Sequence, residues 1–238
     1  MPKNAPRRAA EDDLIELARA AISGLDALLA DAVGKVRGRV VVEGHTVSRL
    51  LDREQRAAHG LAWLATYVEA ARQLSAYAER MAGDGTLGEI EEHLVHIGLG
   101  EYLAQILGGI PMSQGEVVRL ADLGLSAAET AARVNPAIDK LIARGNTAER
   151  RAKLIELMRS NHNATIGVCG LDDTLESIRE EMRKFSDSEV IDHAHGWHRT
   201  NSYIPLSVIA QMSDLGVFGL TIPEKFGGMA LGKESMCV

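Results

Sequence analysis

Apolar residues recur along most of this chain with the period of a helix. From about Asp12 to Val36 the positions Leu14, Leu17, Ala21, Leu25, Leu28 and Leu29 form one stripe, which predicts an amphipathic helix loosened at Gly24. Val40, Val41 and Val42 could make a short strand, although one isolated strand is poor evidence for a sheet. A long helix is predicted from about Ser48 to Met81, stopped by Gly83-Asp84-Gly85. Thr86 and Glu89 then have the spacing of a capping box, in which the hydroxyl accepts an orphan N–H and the carboxylate reaches back to the cap. The helix they open should run to Gly108-Gly109.

The same spacing recurs at Ser113/Glu116, Ser126/Glu129 and Asn146/Glu149, marking three further helix starts. Asn135-Pro136 interrupts the helical segment between them, because the residue before proline avoids the helical region. Arg144-Gly145-Asn146 reads as a turn, with helix resuming through Met158. From Ser160 to Gly170 the period is lost and Asn and Gly accumulate, so a linker is placed over 160–171. The fold class is all-α.

Beyond the linker, Val208, Ile209, Met212 and Leu215 lie at helical spacing from Ser207 to Leu215, with Pro205 in the tolerated first turn. Gly216 stands where a left-handed helix ending needs glycine. Val217, Phe218, Leu220 and Ile222 have no helical period and are closed by Pro223 and Gly227-Gly228, which predicts an extended, buried loop with Phe226 packed beneath it. A second helix should open near Gly232, yet residues 233–238 offer no ending for it. The expectation is a chain cut within a longer protein.

Composition changes this picture little. A chain of 238 residues with 46% apolar and 4% aromatic residues suits helices packed by Ala, Leu, Ile and Val. The net charge of -7 argues against a nucleic-acid surface, and no apolar run approaches a membrane span, so a cytoplasmic location is expected. Residues 1–10, rich in Pro, Ala and Arg, should be mobile. The two cysteines, Cys169 and Cys237, lie far apart and give neither a disulfide framework nor metal spacing.

Candidate chemistry is sparse. His193, His195 and His198 could gather around a metal, but only His195 and His198 share a helix face, no acidic anchor stands at useful spacing, and a hydrated surface cluster is the reading adopted. His93 and His96 make a similar pair beside Glu91 and Glu92, which read as a solvated helix face. There is no nucleophile elbow, Walker loop or dinucleotide fingerprint, and Gly98-Leu99-Gly100 is embedded in a helical pattern. Glu224 and Lys225 are expected at the water-facing tips of their loop, without a chemical role.

From about Ser177 to Cys237 the chain resembles the N-terminal helical domain of acyl-CoA dehydrogenases. The residues that carry this are the first helix from Ile178 past Phe185, Trp197-His198, Ile204-Pro205, and the loop Pro223-Glu-Lys-Phe-Gly-Gly228, in matching order and spacing. Together with Asp192-His-Ala-His-Gly-Trp-His198, the long extension ahead of it looks like the branch of that family that oxidises methylsuccinyl-CoA. The division implied is a helical extension over 11–159, the linker, and the start of the N-terminal domain over 172–238.

The resemblance implies FAD-dependent introduction of an α,β double bond into an acyl-CoA. In the family a glutamate takes the α-proton while hydride leaves to the flavin, and an electron acceptor and a homo-oligomer complete the system. The flavin pocket and that glutamate come mainly from later domains, so no catalytic, cofactor-binding or metal-binding residue is assigned here, and the isolated chain should be inactive. Residues 101–109, and the upstream helix from Gln55 to Ala82, resemble the family's C-terminal helical domain, where a Gln-Ile-x-Gly-Gly stretch approaches a neighbouring subunit's flavin. Here Ile110-Pro111 follows the glycine pair instead of the usual sequence. The stretch is read as a degenerate copy kept for packing, with a plain helix end and a live contact through Gln105, Gly108 and Gly109 as alternatives. The competing function class is a stand-alone helical interaction module.

Overall fold

The computed structural model describes residues 13–162 and 166–238. The expectation for residues 1–10 lies outside them, as does the middle of the linker. The chain divides into two units, Met1–Val168 and Cys169–Val238. Helices dominate both, as an all-α chain requires.

In the first unit, α1 (Leu14–Val40), α3 (Gln55–Gly83), α4 (Glu89–Gly108) and α6 (Pro136–Arg144) form a closed ring of packed helices, α1 against α3, α3 against α4, α4 against α6, and α6 back against α1. Its core is made where each helix turns its repeating apolar face inward: Ala18, Ala21, Leu25 and Leu28 from α1, Leu64 and Val68 from α3, Val95, Leu99 and Leu103 from α4, Ile138 and Leu141 from α6. Asp13 caps α1 by accepting from Ile15 N. Paired ions bind α1 to its neighbours, Arg19 on Glu79 at 2.8 and 3.0 Å and Arg133 on Asp31 at 2.7 and 3.2 Å.

Several expectations shift on the way to this body. The helix expected over 48–81 is two, α2 (Ser48–Arg53) and α3, broken at Glu54, whose carboxylate holds Arg39 and Arg53. Val41–Val42 is not isolated: β1 (Val41–Val42) pairs with β2 (His45–Thr46) across Glu43 and Gly44, both at positive φ. Ser113 opens no helix. It ends β3 (Ile110–Ser113), which turns through Gln114-Gly115 into β4 (Glu116–Val118), because β-branched Val117 and Val118 pair with Ile110 and Pro111. The Thr86/Glu89 box is displaced, since Thr86 N and Leu87 N both close the end of α3 by bonding Met81 O, and Gly88 becomes the cap with Glu91 reaching back to it.

Two other caps stand close to expectation. Ser126 and Glu129 form the full box ahead of α5 (Ala127–Ala131), and Thr147, one residue beyond Asn146, caps α7 (Ala148–Ser160). Asn135 caps α6 from Oδ1 onto Ala137 N and Ile138 N, and its Nδ2 donates to Ala20 O of α1. Gly24 does not loosen α1. A Cβ there would come within 2.8 Å of Arg133 O, so the glycine admits the chain that leads into α6.

The second unit comprises α8 (Asp173–Glu189), α9 (Ile191–Arg199) and α10 (Leu206–Asp214), followed by three single 3-10 turns at Val217–Gly219, Glu224–Phe226 and Lys233–Met236. The expected long first helix is present but changes direction at Val190. Among its described residues only Val208 and Leu220 are buried apolar side chains.

Candidate functional site

The most distinctive geometry of the second unit follows α10. Pro205 stands at its N-cap, and Gly216 takes φ 79° just past its end, the left-handed conformation that glycine adopts without a Cβ penalty. The segment that follows is neither extended nor buried throughout. Val217–Gly219 winds into a 3-10 turn, Leu220 is inward, and Phe218 remains 57% exposed.

Three backbone bonds then fasten this turn to the far side of the loop: Met229 N to Gly219 O at 2.9 Å, Ala230 N to Ile222 O at 2.9 Å and Leu231 N to Leu220 O at 2.8 Å. Gly228 lies so close under Ile222 that a Cβ would meet Ile222 O at 2.1 Å, and Gly227 takes φ 84°. Pro223–Gly228 is therefore a closed loop whose shape is dictated by backbone bonds and glycine. Glu224 and Lys225 face water as expected, whereas Phe226 does not pack beneath: it is 72% exposed, with Lys225 Nζ 4.9 Å from its ring centre.

Against this loop lies a cavity of about 620 Å³, walled by Ile178 and Met182 of α8 and by Val217, Leu220, Met229 and Met236. Its lining is largely apolar, and its one carboxylate, Glu181, is bonded to Lys184 at 2.7 Å, which holds that ammonium above its ordinary range. Such a cavity can take apolar groups. It supplies no acid–base pair.

The histidine clusters separate. His193, His195 and His198 are all exposed on α9, His193 stacked on Trp197 at 5.8 Å between ring centres. His93 Nδ1 lies 3.0 Å from Arg150 Nη1, while His96 is pushed down to about 4 by burial and then by Arg150 and His93, so it stays neutral near pH 7. Among the described residues no group of three His, Cys, Asp or Glu is placed to hold a metal ion. Cys169 Sγ accepts from Arg179 Nη1 at 3.4 Å, and Cys237 is exposed.

Gln105 has both ends of its amide engaged within the first unit, Oε1 accepting from Tyr67 at 2.9 Å and Nε2 donating to Glu101 at 2.5 Å. Gly109, at φ 132°, turns the chain directly into β3, and a Cβ there would meet Val117 at 2.6 Å. Gln105 is thus tied into the first unit at each end of its amide, and Gly109, unlike Gly108, packs against the hairpin that follows it. Glu91 departs from the solvated helix face expected for it. It is 6% exposed, and the displaced cap at Gly88 was the signal that could have found it.

Residues 172–238, the part holding α8 to α10 and the closed loop, match the family described as acyl-CoA dehydrogenase, N-terminal domain. Over those residues the chain is similar to acyl-CoA dehydrogenases. It is 47% identical over 227 residues to the (2S)-methylsuccinyl-CoA dehydrogenase of Cereibacter sphaeroides, an alignment covering 95% of this chain and 41% of that protein. A mitochondrial 2-methylacyl-CoA dehydrogenase of Solanum tuberosum is 33% identical over 69 residues, 29% of this chain and 17% of the relative. A mitochondrial isovaleryl-CoA dehydrogenase of Oryza sativa subsp. japonica is 34% identical over 68 residues, 28% of this chain and 17% of the relative. The chain thus spans about two fifths of the first of these acyl-CoA dehydrogenases and less of the others.

Proposed function

We propose that this chain is the front portion of an FAD-dependent acyl-CoA dehydrogenase that introduces the α,β double bond into methylsuccinyl-CoA, giving mesaconyl-CoA. The observation that carries the reading is the extent of likeness. A 227-residue alignment with the Cereibacter methylsuccinyl-CoA dehydrogenase must take in most of the helical body over 14–160 as well as the closed loop, whereas the plant acyl-CoA dehydrogenases share only about as much as the second unit holds. The likeness to the methylsuccinyl protein thus extends over the body.

In this reading the flavin and the base that removes the α-proton belong to the length of the relative that this chain does not span. When bound, the flavin would accept the hydride. This chain's own part is to contribute the apolar wall at Ile178, Met182 and Leu220, and to offer exposed Phe218, Leu206 and Phe226 as a surface for the remaining domains to cover. The acyl-CoA, an electron acceptor, a homo-oligomeric assembly and a cytoplasmic setting belong to the intact enzyme. Among the described residues no helix is long and apolar enough to cross a membrane.

The test is a chimera joining this chain to the remainder of the Cereibacter enzyme. It should bind flavin and oxidise (2S)-methylsuccinyl-CoA with an artificial electron acceptor, while the chain alone is colourless and inactive. A chimera that folds, binds flavin and prefers straight-chain acyl-CoA would overturn the substrate, and an isolated chain that is yellow and active would overturn the reading as a whole. The closed core of the first unit also suits a stand-alone helical interaction module. That alternative gains if body and chimera fold equally well yet the chimera takes up no flavin.

A further inference from the structure

The segment that leaves the first unit is fastened in an unusual way. The side chains of Ile166 and Val168 are 62% and 57% exposed, so burial of apolar groups does not hold it down. Its backbone is held instead. Glu91 Oε1 of α4 accepts from Val168 N at 2.7 Å, while the hydroxyl of Tyr77 on α3 donates to Val168 O at 2.5 Å. One peptide residue is thus gripped at both its N–H and its C=O by side chains from two different core helices.

The grip is demanding on Glu91. At 6% exposure a carboxylate loses most of its hydration and must recover it from donors, which here are Gly88 N at 3.1 Å on one oxygen and Val168 N on the other. Taking the segment away would leave the second oxygen short of its donor. Gly167 allows the approach, since a Cβ there would come within 2.9 Å of Glu91 Oε1 and 3.1 Å of Leu94 Cδ1. Past this point the hold passes to the second unit, where Arg179 Nη1 reaches Cys169 Sγ at 3.4 Å and Asp172 caps α8 on Leu175 N at 2.8 Å. Gly170, at φ 64°, stands between the two sets of holds.

We propose that Glu91 and Tyr77 form a two-point clamp on the Val168 backbone that makes this residue the fixed exit of the helical body. The clamp deepens the reading of the body as more than an appendage, but it does not depend on which reaction the intact protein performs. Its test is the exchange rate of the Val168 amide hydrogen in the whole chain. The wild type should exchange at least about tenfold more slowly than an unstructured peptide, Tyr77→Phe and Glu91→Gln should each recover part of that factor, and the double variant nearly all of it. Tyr77→Phe removes a single hydroxyl and should keep the circular dichroism of the wild type, so it decides the matter even if Glu91→Gln unfolds the body. A Val168 amide that exchanges at the unstructured rate in the wild type, or one that is unmoved by Tyr77→Phe, would overturn the clamp.

Discussion

The two units put apolar residues to opposite uses. In residues 14–154 they are spent on a core: Leu25, Leu64, Leu99 and Leu103 are completely buried, and the closed ring of α1, α3, α4 and α6 leaves few large side chains outside. In residues 169–238 a similar supply stays largely uncovered, with Leu206 at 85%, Phe226 at 72% and Phe218 at 57% exposure. Apolar area removed from water is the main favourable contribution to folding, so the stability of this chain resides in the first unit. What the second unit has is shape. Its loop is fixed by backbone bonds and glycines, while its apolar side chains are displayed, as on a surface built to be covered.

This contrast can be broken most forcefully by cutting side chains. Leu103→Ala should lower unfolding stability by about 2–5 kcal/mol because it leaves a cavity in a closed core, whereas Phe226→Ala should cost less than about 0.5 kcal/mol. Urea midpoints of the two variants would separate them, and equal losses would mean that the second unit has a core of its own.

Glycine positions sharpen the same point within the first unit. A Cβ at Gly100 would meet Asn146 N at 2.8 Å and Leu141 O at 2.9 Å, both backbone atoms that cannot swing aside. Gly100→Ala should therefore cost about 1–3 kcal/mol. Gly34, on the same unit but facing open space, should behave in reverse: Gly34→Ala is expected to raise the midpoint, by about 0.5–1 kcal/mol, through helix propensity alone. Asn135→Ala, losing the cap of α6 and the bond to Ala20 O, should cost about 1–2 kcal/mol in thermal or urea melts.

A further expected effect depends on pH. His96 is held neutral in the body, down from 6.5 to about 4, so the unfolded chain takes a proton that the folded chain refuses. Its contribution to stability is full above pH 6.5 and drains away as pH falls toward about 4. His96→Leu should flatten the fall of the thermal midpoint across that window. A slope identical to the wild type would assign the acid sensitivity elsewhere.

How much of this was legible in the sequence depended on how local the cause was. The stripe of α1, the Ser126/Glu129 box and the left-handed Gly216 all follow from neighbours within one or two turns. What failed depended on distant partners. Ser113 looked like a cap until Val117 and Val118 found Ile110 and Pro111 across a turn, and Glu91 looked solvated because its second partner, Val168, lies 77 residues away. Gly24 and Phe226 were misjudged for the same reason. A packing neighbour, or the lack of one, cannot be seen in a local pattern. The closed loop at Pro223–Gly228 was recognisable by its residues, but its exposed apolar tip was not.

The cooperative core of this chain is the ring of helices in the first unit, and the second unit does not share it. Hydrogen exchange across the whole chain tests this directly. Amides of α1, α3 and α4 around Leu25, Leu64 and Leu103 should exchange only by global unfolding, and those of α8, α9 and α10 on the order of 100-fold faster or more. Protection of α8 to α10 at the same global limit would contradict it.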